Sequence, residues 1–203
     1  MNLRWTLAVA LVLVCASCTG QRLVTAPARP VPVDPKTQMA ALERRIFMLI
    51  QNDRHEINPA AKPLRLDAEL FGIAEQRSRD MAAKSYIAHS SPQGQNAAGL
   101  IMDEDQKFQG LLGENLAAQP FDKQYGIDVD IYARSLVNTW LASPAHKANL
   151  AYASYDRSAV GATVGDDTIY VVQLFATDLG LPPPLQPASP VPHPAGAAHG
   201  GAR

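Results

Sequence analysis

Three short segments carry ionisable side chains at places that read as turns or element boundaries. They are Tyr86-Ile-Ala-His89-Ser-Ser-Pro92-Gln-Gly94, Gly113-Glu114-Asn115-Leu116 and Trp140-Leu-Ala-Ser143-Pro144-Ala-His146-Lys-Ala-Asn149. Binding and catalytic groups concentrate at such places, whereas the middles of helices mainly pack. Two neutral imidazoles, His89 and His146, with the carboxylate of Glu114 form a ligand set suited to zinc or another divalent cation, with one position open to water. A zinc-bound water has a pKa of about 7, which makes metal-dependent hydrolysis of peptide or cell-wall material one reading of the set. Without metal, Glu114 instead accepts a hydrogen bond from one histidine, or holds a loop through backbone N–H groups. Asn115 and Asn149, in the same segments, are expected beside these groups as braces for the backbone rather than as reactants. Ser90, Ser91 and Ser143 lie near the histidines but lack the Gly-x-Ser-x-Gly setting of a hydrolase nucleophile, which argues against a serine hydrolase.

The elements that must position these groups follow from periodicity. Met39, Leu42, Ile46, Leu49 and Ile50 recur at helical spacing and predict an amphipathic helix from about Thr37 to Glu56, broken by Asn58-Pro59. Asp67 is the expected N-cap of a second helix, which carries Leu70, Ile73, Ala74, Arg77 and Met81 on one side and fades near Ser85. His89 falls in the loop beyond it. A short helix is expected from Ala97 to Gln106. Phe108 to Ala118 is an apolar-rich segment that Gly113, Glu114 and Asn115 interrupt. A third long helix is expected from Asp128 to Ala142, with Ile131, Val137, Trp140 and Leu141 facing inward and Trp140 in the core.

Ser143-Pro144 restarts the chain as a new short helix, with serine at the N-cap and proline at the first helical position. His146 then sits at its third position, where the positive end of the helix dipole disfavours imidazolium and favours the neutral, ligating form. Two strands close the domain, Ser158 to Val164 and Thr168 to Ala176, joined through Gly165-Asp166-Asp167. The second is apolar on both alternating faces, as in a strand covered on both sides. Helices before strands and a doubly covered sheet predict an α+β fold, a three-layer α-β-α sandwich with a mainly antiparallel central sheet.

The two ends place this domain. Arg4 precedes an apolar run from Trp5 to Val14, too short for a permanent membrane span and suited to a signal peptide over residues 1–18. The sequence Cys15-Ala-Ser-Cys18 resembles a bacterial lipobox, with Cys18 as the lipidated residue, although Cys15 stands where such motifs usually carry leucine. Cleavage just before Cys18 by an ordinary signal peptidase is the alternative. The chain has two cysteines, both in this segment. Lipidation of Cys18 therefore leaves no unpaired thiol in an oxidising compartment. Residues 19–36 read as a Pro/Ala-rich linker, residues 37–180 as one domain and residues 181–203 as a Pro/Ala/Gly-rich tail without a core. The formal net charge is -1, and no basic stripe is present. Nucleic acid is therefore not an expected partner.

In their order and spacing the three motifs resemble the CAP superfamily, which includes cysteine-rich secretory proteins, antigen 5 and plant pathogenesis-related proteins, also called SCP-like domains. The bacterial extracellular branch is the nearer likeness. It extends over about Met39 to Ala176 and takes in Asn52-Asp-Arg54, Leu64-Arg-Leu66-Asp67, Asp80-Met81-Ala82 and Gln173-Leu-Phe175. The resemblance implies an α-β-α sandwich with a central cleft lined by two histidines and two glutamates, the histidines binding zinc or another divalent cation in several members. By motif, His89 and His146 match the histidines and Glu114 one glutamate. The other glutamate belongs shortly after Trp140, where this chain has Leu141, Ala142 and Ser143. An incomplete tetrad shifts the expectation from enzyme to binder. The expected protein is an exported envelope lipoprotein, tethered through Cys18 on the periplasmic or cell-surface side, whose cleft takes a lipid, peptide or envelope component. A metal-dependent hydrolase and a passive envelope or host-facing protein are the alternatives.

Overall fold

A computed structural model describes residues 32–179, so the expected signal peptide, Cys18, most of the linker and the C-terminal tail lie outside the described residues. A 3-10 turn at Pro35–Gln38, capped by Asp34, leads into α1 (Met39–Ile57). There follow β1 (Arg65–Leu66), α2 (Ala68–Lys84), α3 (Ala97–Glu104), β2 (Gly110–Pro120), α4 (Val129–Ala142), α5 (Pro144–Ala151), β3 (Arg157–Gly165) and β4 (Thr168–Asp178). The sheet has the order β1-β3-β4-β2. Within it β1 runs parallel to β3, and the other pairings are antiparallel. Among the described residues no helix is long and apolar enough to cross a membrane.

The alternation of β4 builds the three layers. Ile169, Val171 and Phe175 pack with α1, α4 and α5 on one face. Tyr170, Val172, Leu174 and Ala176 pack with α2 and α3 on the other. A strand whose successive side chains enter two cores must be apolar at nearly every position, and β4 is buried from Ile169 to Thr177. The expected sandwich and its mainly antiparallel sheet are therefore present. Helix α2 presses so closely on β3 that a Cβ on Gly161 would stand 2.4 Å from the backbone of Ala74.

The α1 stripe is buried as expected, and Arg54 continues it. Among the described residues Arg54 meets no acid and instead donates to four carbonyls, those of Lys62, Leu150, Tyr152 and Tyr155, at 2.7–3.1 Å. It ties the end of α1 to the end of α5 and the turn beyond. The Asp67 cap forms, accepting from the N–H groups of Glu69 and Leu70. Ser85 ends α2 in the left-handed conformation, with φ of 53°.

Three expectations need correction. Ile131 does not face inward; it is 66% exposed. The buried stripe of α4 is Ala133, Leu136, Val137 and Trp140, and a residue two places before Ala133 falls on the far side of the helix. Leu141 is half-buried at the edge of the core. Ser143 stands at the N-cap of α5, but its side chain makes no capping hydrogen bond. The segment Phe108 to Ala118 is no interrupted stretch: β2 runs without a break through Gly113, Glu114 and Asn115, which pair with Phe175, Leu174 and Gln173 of β4.

Candidate functional site

Glu114 and Asn115 are consecutive on β2, so their side chains leave the sheet on opposite faces. Glu114 points toward α2. There Arg77, 1% exposed, brings its Nε to 3.6 Å from Glu114 Oε1, an ion pair in which neither atom makes a hydrogen bond among the described residues. The other carboxylate oxygen, Oε2, is 2.6 Å from His89 Nδ1. A carboxylate can only accept, so the ring proton at Nδ1 faces it. Glu114 is thus held between a buried guanidinium and a histidine whose side chain is 64% exposed.

Arg77 also fixes the loop that carries His89. Its Nη1 donates to the Tyr86 hydroxyl at 3.0 Å and its Nη2 to the Ala88 carbonyl at 2.7 Å. The Tyr86 hydroxyl in turn donates to Asp80 at 2.6 Å. Hydrogen bonds from Lys84 and then Tyr86 hold the Asp80 carboxyl below the ordinary range. Burial first, and then the bond to Asp80, push the Tyr86 hydroxyl up. Beyond His89 the chain closes on the buried Ser91, whose Oγ accepts from the N–H groups of Gln93 and Gln95. Gly94 supplies the positive φ of 86° that this turn requires. Asn96 then caps α3 through the Gly99 N–H at 2.8 Å.

His89 and Glu114 stand at a cavity of about 230 Å³ whose apolar lining includes Ala97, Ile101, Leu112 and Leu174. His146 does not line that cavity. It lies half-buried at the start of α5, with Nδ1 enclosed and, among the described residues, without a hydrogen-bond partner. Burial, and then the proximity of His89, lower its pKa below the usual histidine value. Asn115 donates to the His146 carbonyl at 3.3 Å. Asn149 donates to the Asn115 side chain at 3.0 Å and to the Glu114 carbonyl at 3.2 Å. The two asparagines therefore latch α5 to β2. Gly113 completes the junction, because a Cβ there would stand 2.6 Å from the Tyr155 hydroxyl.

The structure thus joins His89 directly to Glu114, and joins Asn115, Asn149 and the main chain of His146 in a seam on the other face of the same strand. Arg77 is the functional residue that sequence reasoning did not single out. Its signal was a cation on the apolar stripe of α2, a position that has to find a buried partner. Trp140 is fully buried as expected, and its indole N–H donates to the Leu116 carbonyl at 2.9 Å.

Residues 58–175 match the family described as CAP, the cysteine-rich secretory protein family. The chain belongs to this family. Solved CAP structures share its fold. An outer surface protein from Borrelia burgdorferi is 26% identical, with a TM-score of 0.53 over 72% of this chain and 96% of that one. An extracellular protein with an SCP domain from Bacillus anthracis is also 26% identical, with a TM-score of 0.53 over 71% of this chain but 44% of that one. This CAP chain therefore spans less than half of the Bacillus protein. No curated protein sequence matches it.

The donor set can be tested against a metal. Among the described residues no group of three or more histidines, cysteines, aspartates or glutamates is placed to hold an ion. His89 has its Nδ1 on Glu114, the arrangement in which a carboxylate orients a ligating histidine from behind. In this CAP domain Glu114 is better suited to that supporting place than to direct ligation. His89 and His146 are the imidazoles of the expected set, and His146 stands outside the cavity that His89 lines.

Proposed function

We propose that this CAP chain is an exported envelope protein that binds a small ligand with an apolar portion and a polar head, a lipid, peptide or envelope fragment, through the His89–Glu114 cavity. The carrying observation is the His89–Glu114 pair at an apolar cavity of about 230 Å³, braced by a buried arginine. The apolar walls suit an acyl segment or an aliphatic side chain. With its Nδ1 proton on Glu114, the His89 ring offers Nε2 to a head group, as an acceptor when neutral and as a donor when protonated. Export is supported by the outer-surface and extracellular relatives and by the apolar run ahead of Cys18. Tethering through a lipid on Cys18 belongs to the same proposal.

Native mass spectrometry of the full chain, after exposure to envelope lipids and peptidoglycan fragments, tests the binding reading. Retention of a ligand by the wild type and its loss in Glu114→Gln is the expected result. A spectrum without ligand under every condition would leave the passive reading in its place. Intact mass and membrane fractionation test the tether: Cys18→Ala should lose the acyl mass and move the protein to the soluble fraction.

The paired His89 and the nearby His146 favour a second reading, a divalent cation such as zinc held by the two histidines. When bound, such an ion supplies Lewis acidity to a carbonyl or a water. Glu114 would orient the His89 ring, and the apolar cavity would exclude bulk water. Metal content compared between wild type and a His89→Ala/His146→Ala double variant tests this reading. Cleavage of casein or peptidoglycan that depends on both metal and Glu114 would turn it into the hydrolase.

A further inference from the structure

At the other end of the sheet a half-buried glutamate, Glu43, has no counter-charge among the described residues. Strand β1 pairs only with Arg157 and Ser158 of β3, and the chain then turns into α2. Among the described residues, the rest of the β3 edge has no strand beside it. The Ala162 N–H on that edge donates instead to a side chain, Glu43 Oε1 of α1, at 2.8 Å. Where the missing continuation of β1 would lie, α1 and the start of α2 enclose a cavity of about 410 Å³. Its apolar lining includes Ala40, Phe47, Leu66, Phe71 and Val160. Leu66 and Phe71 remain 70% and 39% exposed, large apolar side chains left toward solvent.

Among the described residues Glu43 has no ion-pair partner at this cavity. Asp67 is paired with Arg157 at 3.0 Å, and Arg45 of α1 is paired with Asp130. Glu75 of α2 adds negative charge toward Glu43 and has Arg79 at 3.6 Å. Arg44 belongs to the lining but is itself exposed. Burial pushes the Glu43 carboxyl up to about 7, with Glu75 adding to the rise and the Ala162 amide opposing it. The amide occupies one carboxylate oxygen. Among the described residues no cation compensates the charge.

We propose that this cavity is a second ligand site, taking a molecule with an apolar body and one protonated amine, with the ammonium on Glu43 and the body against Phe47, Leu66 and Phe71. An ammonium supplies the missing charge and donates to the carboxylate. A neutral body alone leaves the buried charge uncompensated, and a carboxylate ligand meets Glu43 and Glu75 as like charges. The site lies at the edge of the sheet remote from β2 and is independent of the His89–Glu114 reading.

The probes are hexylamine, hexanol and hexanoate, which share one apolar body, titrated into the full chain at pH 8 and pH 5.5. The Ala162 amide, bonded to Glu43, is the NMR reporter. Hexylamine is expected to shift that amide at pH 8, to bind about tenfold more weakly in Glu43→Gln, and to weaken in wild type at pH 5.5 as the carboxyl takes up its proton. Glutamine keeps an acceptor for the Ala162 N–H, so this variant should fold and its loss of binding be interpretable. His89→Ala should bind hexylamine as wild type does. Equal binding of hexanol would reduce the site to an apolar groove and overturn the proposal. Stronger binding of hexanoate, lost in Arg44→Gln, would overturn it in favour of an anion site, and an unmoved amide with all three probes would overturn it outright.

Discussion

Glu114 and Glu43 are both glutamates held near a sheet edge, one on β2 and one against β3, and the fold treats them in opposite ways. Glu114 has a guanidinium on one oxygen and an imidazole on the other. Glu43 has a backbone amide on one oxygen, a second glutamate nearby and, among the described residues, no cation. Both side chains are largely withdrawn from water, so burial alone does not distinguish them. Counter-charge does. Around Glu114 the chain has built its own, by placing Arg77 in the core. Around Glu43 it has not, and such a carboxyl relieves its burial by taking up a proton or by accepting a foreign cation.

The sharpest way to break this contrast is to remove the built-in charge. Arg77→Met should destabilise the domain by about 3–5 kcal/mol in urea unfolding, because Glu114 is left buried without its cation. The same variant frees Tyr86 and Ala88, so amide exchange should accelerate from Tyr86 to His89. A domain as stable as wild type would show that Arg77 is a bystander. Glu114→Gln acts from the other side of the pair. A loss of about 1–3 kcal/mol is expected, since Arg77 then lacks an anion.

Glu43→Gln should move stability the other way, and only at one end of the pH scale. The carboxyl titrates near 7 in the fold and near its ordinary 4.5 when unfolded. Between those values the folded state holds more protons, so wild type gains stability as pH falls from 7 toward 4.5 and carries the full cost of ionisation above pH 7. Thermal unfolding should therefore place Glu43→Gln above wild type at about pH 8, with the gap closing by about pH 4.5. A gap independent of pH would remove the ionised carboxylate from the explanation. The smallest effect is expected for His89→Ala, within about 1 kcal/mol, because an exposed partner contributes little to a pair. A larger loss on chemical unfolding would mean that His89 is structural.

The same contrast explains what could be read from the sequence. The helices were legible because their stripes repeat at three and four residues, and because Asp67 announces a helix start and caps as its position implies. Strand β2 was not legible. Its middle is Gly113-Glu114-Asn115, and each of the three departs from an apolar strand for a reason that lies far along the chain. Gly113 clears Tyr155, Glu114 meets Arg77 and His89, and Asn115 meets Asn149. A strand that carries the site on both faces loses the alternation by which strands are recognised. His89, Glu114 and His146 were picked out by motif, but the direct pairing of the first two and the placing of the third in a separate seam are tertiary facts. The Glu43 cavity was illegible for a similar reason: its defining hydrogen bond joins residues 119 positions apart.

The position of β4 has a consequence for how this chain folds. It is the last strand described, yet it lies in the middle of the sheet and supplies side chains to both cores. The four carbonyls bound by Arg54 impose the same order, since three of them lie 96 to 101 residues downstream. Helix α1 can meet α4 and α2 can meet α3 earlier, but neither core is complete until the C-terminal strand arrives, so contacts of long sequence separation weigh on the rate of folding. A chain threaded through a membrane with its N-terminus leading would keep both cores unfinished until nearly all of the domain had crossed.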